Sequence, residues 1–329
     1  MPTFAHRAQT ALRVASLAIA GLLGTVTAGA QDAYPSRPIR VVVPYPAGGN
    51  TDIIARDVMK ALSARLGQPI VIDNKPGANS ILGTDLVAKA APDGYTLLVA
   101  IGAYANNQSL YRNLPYRPAD LAPVSQLTRT SLVLVTARPG IRTLDDLVRA
   151  GRDADAPLSF ASSGVGSAAH LLGERFARAT AMKGAMHVPY KGTSDATTDL
   201  VSGRVGFMFD AISAMGPHIR QGRLAALAVT GHERSPLLPE VPSLKELGHP
   251  ALATYAWAGV LAPARTPPAI VDKLAAEIAA VMKGDDLRAR LAAISTEPVG
   301  GTPAELARFI ATEAKVNGDL IRQLDITLD

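Results

Sequence analysis

The chain has 329 residues, 48% of them hydrophobic, with 33 basic side chains against 28 acidic ones. There is no cysteine, which excludes disulfide staples, a thiol nucleophile and thiolate metal sites, so stability has to come from buried apolar surface. The basic residues are scattered rather than clustered, which gives nucleic-acid binding no footing, and the mild positive balance suits an anionic small molecule only weakly.

The first 30 residues read as a secretory leader. His6, Arg7 and Arg13 form a basic start, residues 14–26 are apolar, and Ala28-Gly29-Ala30 is a small-x-small cleavage site ahead of Gln31. Thirteen apolar residues are too few for a hydrocarbon core that needs about 20. Export to the periplasm is the expectation. Removing Arg7 and Arg13 leaves 31 basic residues against 28 acidic ones in a chain long enough for two domains.

Residues 39–43 form a β-branched run that stops at Pro44. Ile54, Val58, Leu62 and Leu66 then recur at helical spacing, and Gly67 closes that helix. The pattern predicts strands at 70–72 and 95–99 with a helix at 82–90 between them. The rhythm resumes with a strand at 158–161, a helix at 168–179, a strand at 186–188, a helix at 196–201, and strands at 205–209 and 224–229. A connecting segment at 116–128 separates the two series. An apolar strand at 258–261 follows, then three helices, the first starting at Thr266-Pro267-Pro268, the others over 286–294 and 303–324. Strands alternating with helices of this length predict an α/β architecture with mixed, mainly parallel sheets.

Three strand-to-helix loops could hold an anion. In Pro44-Tyr45-Pro46-Ala47-Gly48-Gly49-Asn50-Thr51-Asp52, two glycines let the backbone approach a ligand, and the following helix N-terminus offers free N–H groups. A tight turn with a Thr or Asp cap is the plainer alternative. Ser162-Ser163-Gly164-Val165-Gly166-Ser167 opens the helix that carries Ala169 and His170. Gly164, Gly166 and Ala169 match G-x-G-x-x-A, but the next strand runs into Pro189-Tyr190-Lys191, without the acidic residue that a dinucleotide site needs. The third loop runs from Pro189 to Asp195. Asp210 ends an apolar strand, where α/β sheets present ligands, and could equally cap the next turn at 211–214.

Enzyme signatures are poor. Gly192-Thr193-Ser194-Asp195-Ala196 lacks the last glycine of a nucleophile elbow. His170, His187, His218, His232 and His249 are dispersed, with no metal-ligand spacing. No catalytic residue, metal or cofactor is expected.

Several motifs in fixed order resemble one family. They are Pro-Tyr-Pro-Ala-Gly-Gly-Asn-Thr-Asp at 44–52, Ala-Ala-Pro-Asp-Gly-Tyr-Thr-Leu-Leu at 90–98 and Ser-Ser-Gly-Val-Gly-Ser at 162–167. His187-Val188-Pro189-Tyr190-Lys191-Gly192, Met208-Phe209-Asp210 and Glu297-Pro298-Val299-Gly300-Gly301-Thr302-Pro303 continue the series. The chain is similar to the Bug-type receptors of tripartite tricarboxylate transporters. The resemblance implies a two-lobed periplasmic-binding-protein fold with an interlobe cleft. Residues 31–127 and 253–329 would make the first lobe and 128–252 the second. It implies capture of a small carboxylate, handed to the membrane components of a transporter by a monomer. Carried over, the contacts are Tyr45, Gly48, Gly49, Thr51 and Tyr104 from the first lobe. From the second come Ser162, Ser163, Gly166, Ser167, Tyr190 and Asp210, with His170 one turn into the adjoining helix. Enlarging Gly49 or Gly166 is expected to block the ligand while sparing the fold. The sequence departs from the family at Asn79-Ser80-Ile81-Leu82, where a polar group of the cleft would be lost, and at Ala103-Tyr104-Ala105-Asn106. A sensor of the same fold used for signalling is the alternative. A secreted hydrolase would need a nucleophile–base pair that the sequence does not offer.

Overall fold

The computed structural model describes residues 34–153 and 155–328. Contacts divide the chain into Met1–Ser36 and Arg37–Asp329. The leader expected over residues 1–30 lies outside the described residues.

Strand β1 (Ile39–Val43) is buried at four of its five positions because both faces are covered, which explains its unbroken β-branched run. Helix α1 (Asn50–Leu66) buries Ile54, Val58 and Leu62, the stripe that its spacing foretold. The chain continues through β2 (Ile70–Asn74), α2 (Ile81–Ala88), β3 (Thr96–Ile101), α3 (Gly102–Leu110) and β4 (Leu121–Thr130). After Ser131 come β5 (Leu132–Thr136), α4 (Leu144–Gly151), β6 (Ser159–Ser162), α5 (Ala168–Ala179) and β7 (Met186–Pro189). Then follow α6 (Thr193–Val201), β8 (Phe207–Ala211), α7 (Ile212–Arg220) and β9 (Ala225–Val229). The last part holds β10 (Ala256–Pro263), α8 (Pro268–Val281), α9 (Asp285–Ala292), β11 (Thr296–Pro298) and α10 (Pro303–Gln323). Among the described residues no helix is long and apolar enough to cross a membrane.

These strands form two sheets, in the orders β11-β4-β10-β3-β1-β2 and β7-β6-β8-β5-β9. In each, one strand set against the prevailing direction sits inside the sheet. β10 is antiparallel to both β3 and β4, and β5 is antiparallel to both β8 and β9. The others pair parallel except the short edge strand β11. The chain passes between the sheets twice, from β4 to β5 through Ser131 and from β9 back to β10.

Residues 116–128, expected as a connection, contain most of β4. Its sequence hides it, because Pro123 interrupts the run and two register shifts against β10 break the alternation. The turn expected at 211–214 is the start of α7, which carries Pro217 inside it. Helix α3 escaped notice because it is polar yet buried, with Asn106 at 2% exposure and Asn107 at 0%.

Each sheet has its own apolar core. Phe160, Phe176, Phe207 and Phe209 pack together on one face of the second sheet, while Val42, Leu98, Trp257, Leu261 and Leu306 do so on the first. A smaller cluster joins the two parts: Leu171 of α5 meets Leu110, Leu320 and Ile321.

Candidate functional site

The pairing directions put the carboxyl ends of β1, β3 and β4 on one edge of the first sheet, beside the start of β10. The same holds for β6, β7 and β8 beside the start of β5 in the second sheet. These edges line one cavity of about 540 Å³. That lies within the range of roughly 300–1,000 Å³ usual for small-molecule sites. The starts of α1, α3, α5, α6 and α7 all reach its wall, through Asn50, Gly102, Ala168, Thr193 and Ala211. Helix N-termini leave backbone N–H groups unpaired and carry partial positive charge, so five of them around one space make it hospitable to an anion. Side chains cap α5 but not α1, α3, α6 or α7.

Six of the expected contacts lie on the cavity wall: Tyr45, Gly49, Thr51, Ser163, Ser167 and Asp210. The first loop is held in shape from behind by Asp52, which is 2% exposed. Its carboxylate accepts hydrogen bonds from the Gly48 amide (2.8 Å), Arg56 Nε (2.8 Å) and Asn74 Nδ2 (2.9 Å). Burial alone would push Asp52 up, but the bonds from Arg56, Gly48 and Asn74 outweigh it and hold the carboxyl at about 2. Gly48, at φ +79°, turns its amide toward Asp52 and is absent from the cavity wall.

The other five expected contacts are likewise absent from the wall, each engaged elsewhere. The Tyr104 hydroxyl donates to the Pro118 carbonyl at 3.1 Å, and its ring stacks on Tyr116. Ser162 Oγ lies 2.7 Å from His187 Nε2 and bonds the Gly164 carbonyl, within the second loop. The Tyr190 hydroxyl donates to Asp199. His170 accepts a hydrogen bond from the Gly166 amide at Nδ1 (3.0 Å) and stacks on His187 with ring centroids 3.7 Å apart. Burial, and then the neighbouring His187, hold His170 down to about 3, while burial holds His187 at about 4.

Gly166 is a junction. Its carbonyl accepts from Asn106 Nδ2 at 3.0 Å, Asn317 Nδ2 donates in turn to Asn106 Oδ1, and the space beside its Cα is filled by Leu110. A Cβ there would lie 2.3 Å from Leu110 Cδ1 and would need φ +77°. Enlarging Gly166 would therefore disturb packing, contrary to the expectation that it spares the fold. Gly49 differs, since its φ of −74° suits any residue and a Cβ would stand 3.4 Å from the Pro46 carbonyl oxygen.

The wall also includes Asn79 and Asn106, from the two stretches that depart from the family, and four residues that sequence reasoning passed over: Arg175, Trp257, Glu313 and Asn317. Asn79 thus keeps a polar group at the cleft, although its Nδ2 donates to Asn107. Arg175 stands two turns into α5 and donates to the Ala251 carbonyl. Of the two wall carboxyls, Asp210 is pushed up by burial despite hydrogen bonds from the Ala211 amide and the Thr193 hydroxyl. Burial also pushes Glu313 up, against the pull of Arg175. Among the described residues no cluster of His, Asp or Glu could hold a metal.

Two α/β sheets turning their carboxyl edges toward one cleft, joined by two crossings, define the periplasmic-binding-protein class. The model of the tripartite tricarboxylate transporter family receptor matches residues 54–326, and the chain belongs to that family. Protein BugT of Bordetella pertussis is 38% identical over 312 residues, covering 93% of this chain and 94% of that one. Among solved structures, R. palustris Rpa4515 with adipate is 34% identical at a TM-score of 0.80, covering 90% of this chain and 100% of its own. MatC from Rhodopseudomonas palustris with bound malate is 33% identical at 0.75, covering 88% and 100%.

Proposed function

We propose that the protein is the receptor of a tripartite carboxylate transporter, which captures a small carboxylate in the cleft and presents it to the transporter's membrane components. The observation that carries this reading is the convergence of helix N-termini from both sheets on one cavity. The relatives with adipate and malate support a ligand of this class. On this reading the first sheet moves as one lobe and the second, β5 to β9, as the other, with the changeover at Ser131. Tyr45, Gly49, Thr51, Ser163, Ser167 and Asp210 touch the ligand directly. Gly48, Tyr104, Ser162, Gly166, His170 and Tyr190 act by fixing the loops. The exported form starts at Gln31, works as a monomer and converts nothing.

Titration calorimetry and thermal unfolding of residues 31–329 with malate and adipate test the reading. A ligand held at about 100 times its dissociation constant stabilises the fold by roughly 2.7 kcal/mol. Gly49→Val loses most of that affinity with its circular dichroism unchanged. No binding of any small carboxylate by the folded wild type would overturn the receptor assignment. Undiminished binding by Gly49→Val would move the ligand away from the first loop.

A further inference from the structure

Outside the cleft, a groove of about 530 Å³ runs between α6 and α7. Val201 of α6 and Ala214 of α7 give it apolar wall, while His218 and Arg223 give it nitrogen. No carboxylate lines it. The two acids of α6, Asp195 and Asp199, lie off its wall, and Asp199 already accepts from Arg204 (2.8 Å) and the Tyr190 hydroxyl (2.9 Å). Thr193 stands on the wall of both groove and cleft, so the first turn of α6 separates the two.

The ending of α7 builds the basic side of this groove. Gly222, at φ +67°, turns the chain back, and the Arg223 and Leu224 amides then donate to the His218 carbonyl at 3.0 and 3.3 Å. Arg223 is thereby fixed next to His218, and its exposed guanidinium pairs with no carboxylate among the described residues. Burial, and then Arg223, hold the His218 imidazole below its ordinary value, so the ring is neutral at pH 7. Its Nδ1 is buried without a hydrogen-bond partner. A buried N–H is rarely left unpaired, whereas a spare lone pair costs less, so the proton belongs on Nε2. Thr197 and Thr198 add no donor, because their hydroxyls donate to the Thr193 and Ser194 carbonyls. The groove thus offers two unused donors, the Arg223 guanidinium and the His218 Nε2–H.

We propose that the groove between α6 and α7 is a second ligand site, separate from the cleft, which takes a small organic acid with an apolar body. The carboxylate accepts from the Arg223 guanidinium, whose fork matches it, and from His218 Nε2. The apolar part lies against Val201 and Ala214. A groove of this volume is of the size usual for small-molecule sites. The site stands apart from the receptor reading, since neither Arg223 nor His218 lies on the cleft wall.

Benzoate is the probe, titrated into residues 31–329 by calorimetry. Wild type binds it, and Gly49→Val, altered in the cleft, retains the site. Arg223→Gln, at an exposed position where substitution spares the fold, lowers that affinity roughly ten- to a hundredfold, as expected for lost hydrogen bonds to a charged group. The same variant binds malate and adipate as wild type does. Inorganic phosphate, with charge but no apolar body, and benzamide, with the body but no charge, both bind more weakly than benzoate. Benzoate also raises the pKa of His218, read from its imidazole C–H resonances, because a carboxylate favours the protonated ring. His218→Gln identifies those resonances by removing them. No benzoate binding by wild type, an affinity unchanged in Arg223→Gln, or a His218 signal that does not respond overturns the site. Binding abolished by Gly49→Val would place benzoate in the cleft and overturn it too. Phosphate held as tightly as benzoate would overturn the ligand class. If wild type binds neither malate nor adipate, the receptor reading fails while the benzoate comparison still decides the groove.

Discussion

Asp52 shows how one buried carboxylate can shape a loop that faces solvent. Its three donors come from the loop (Gly48), from its own helix (Arg56) and from the end of the next strand (Asn74). Because the folded-state value of about 2 lies below the ordinary 3.8, its stabilisation is complete above about pH 4 and is lost as the pH falls through about 2. The shift corresponds to about 2 kcal/mol. Asp52→Asn should therefore unfold in urea with about that deficit at pH 7, and the gap to wild type should close by pH 2. A constant gap across that range would mean that the residue acts by shape rather than by charge.

Helix α5 joins cap, loop and core within a few residues. Ser167 Oγ accepts from the His170 amide, and the His170 ring accepts from the Gly166 amide, so cap and loop lock each other. The ring must be neutral at Nδ1 to accept. Its folded value of about 3 lies below the unfolded value, so its contribution is present above about pH 6.5 and is lost as the pH falls toward 3. Between pH 6.5 and 5 this one imidazole accounts for roughly 2 kcal/mol of lost stability. His170→Gln keeps an acceptor but does not titrate, so urea midpoints at the two pH values should lie closer together than in wild type. The span of α5, 168–179, was legible in the sequence, since its serine, its glycines and its apolar spacing all speak locally. Strand β1 and helices α1 and α10 were legible for the same reason. Helix α3 was not, because Asn106 and Asn107 are buried by pairing with Gly166 and Asn79, partners distant in sequence. Of the site, the loops could be read from their glycines. Trp257 and Gly102 could not, since only the pairing of β10 with β3 brings them together. Tyr104 came only from the resemblance, and its hydroxyl is committed to Pro118.

At the scale of the molecule, the two sheets differ in how they are written along the chain. The second is closed within one continuous stretch, from Leu132 to Val229. The first is interrupted by that stretch and then completed by β10, which lies in its middle rather than at its rim. Leu98, Val99 and Ala100 pair with Leu261, Val260 and Gly259, so part of the first core, Trp257, Leu261, Leu306 and Ile310, waits for residues made much later. Closing such a distant contact is slow compared with local pairing. During refolding, pulse-labelled hydrogen exchange should find the amides of β6 and β8 protected before those of β3 and β4. Simultaneous protection would point to a single cooperative event. The order also has a hazard. A chain that stops short of Ala256 presents β3 and β4 with facing, unfilled edges, an open slot shaped for a strand, and the strand of another molecule can enter it. The feature that sets Trp257 beside Gly102 thus makes incomplete copies of this protein prone to exchange strands and aggregate.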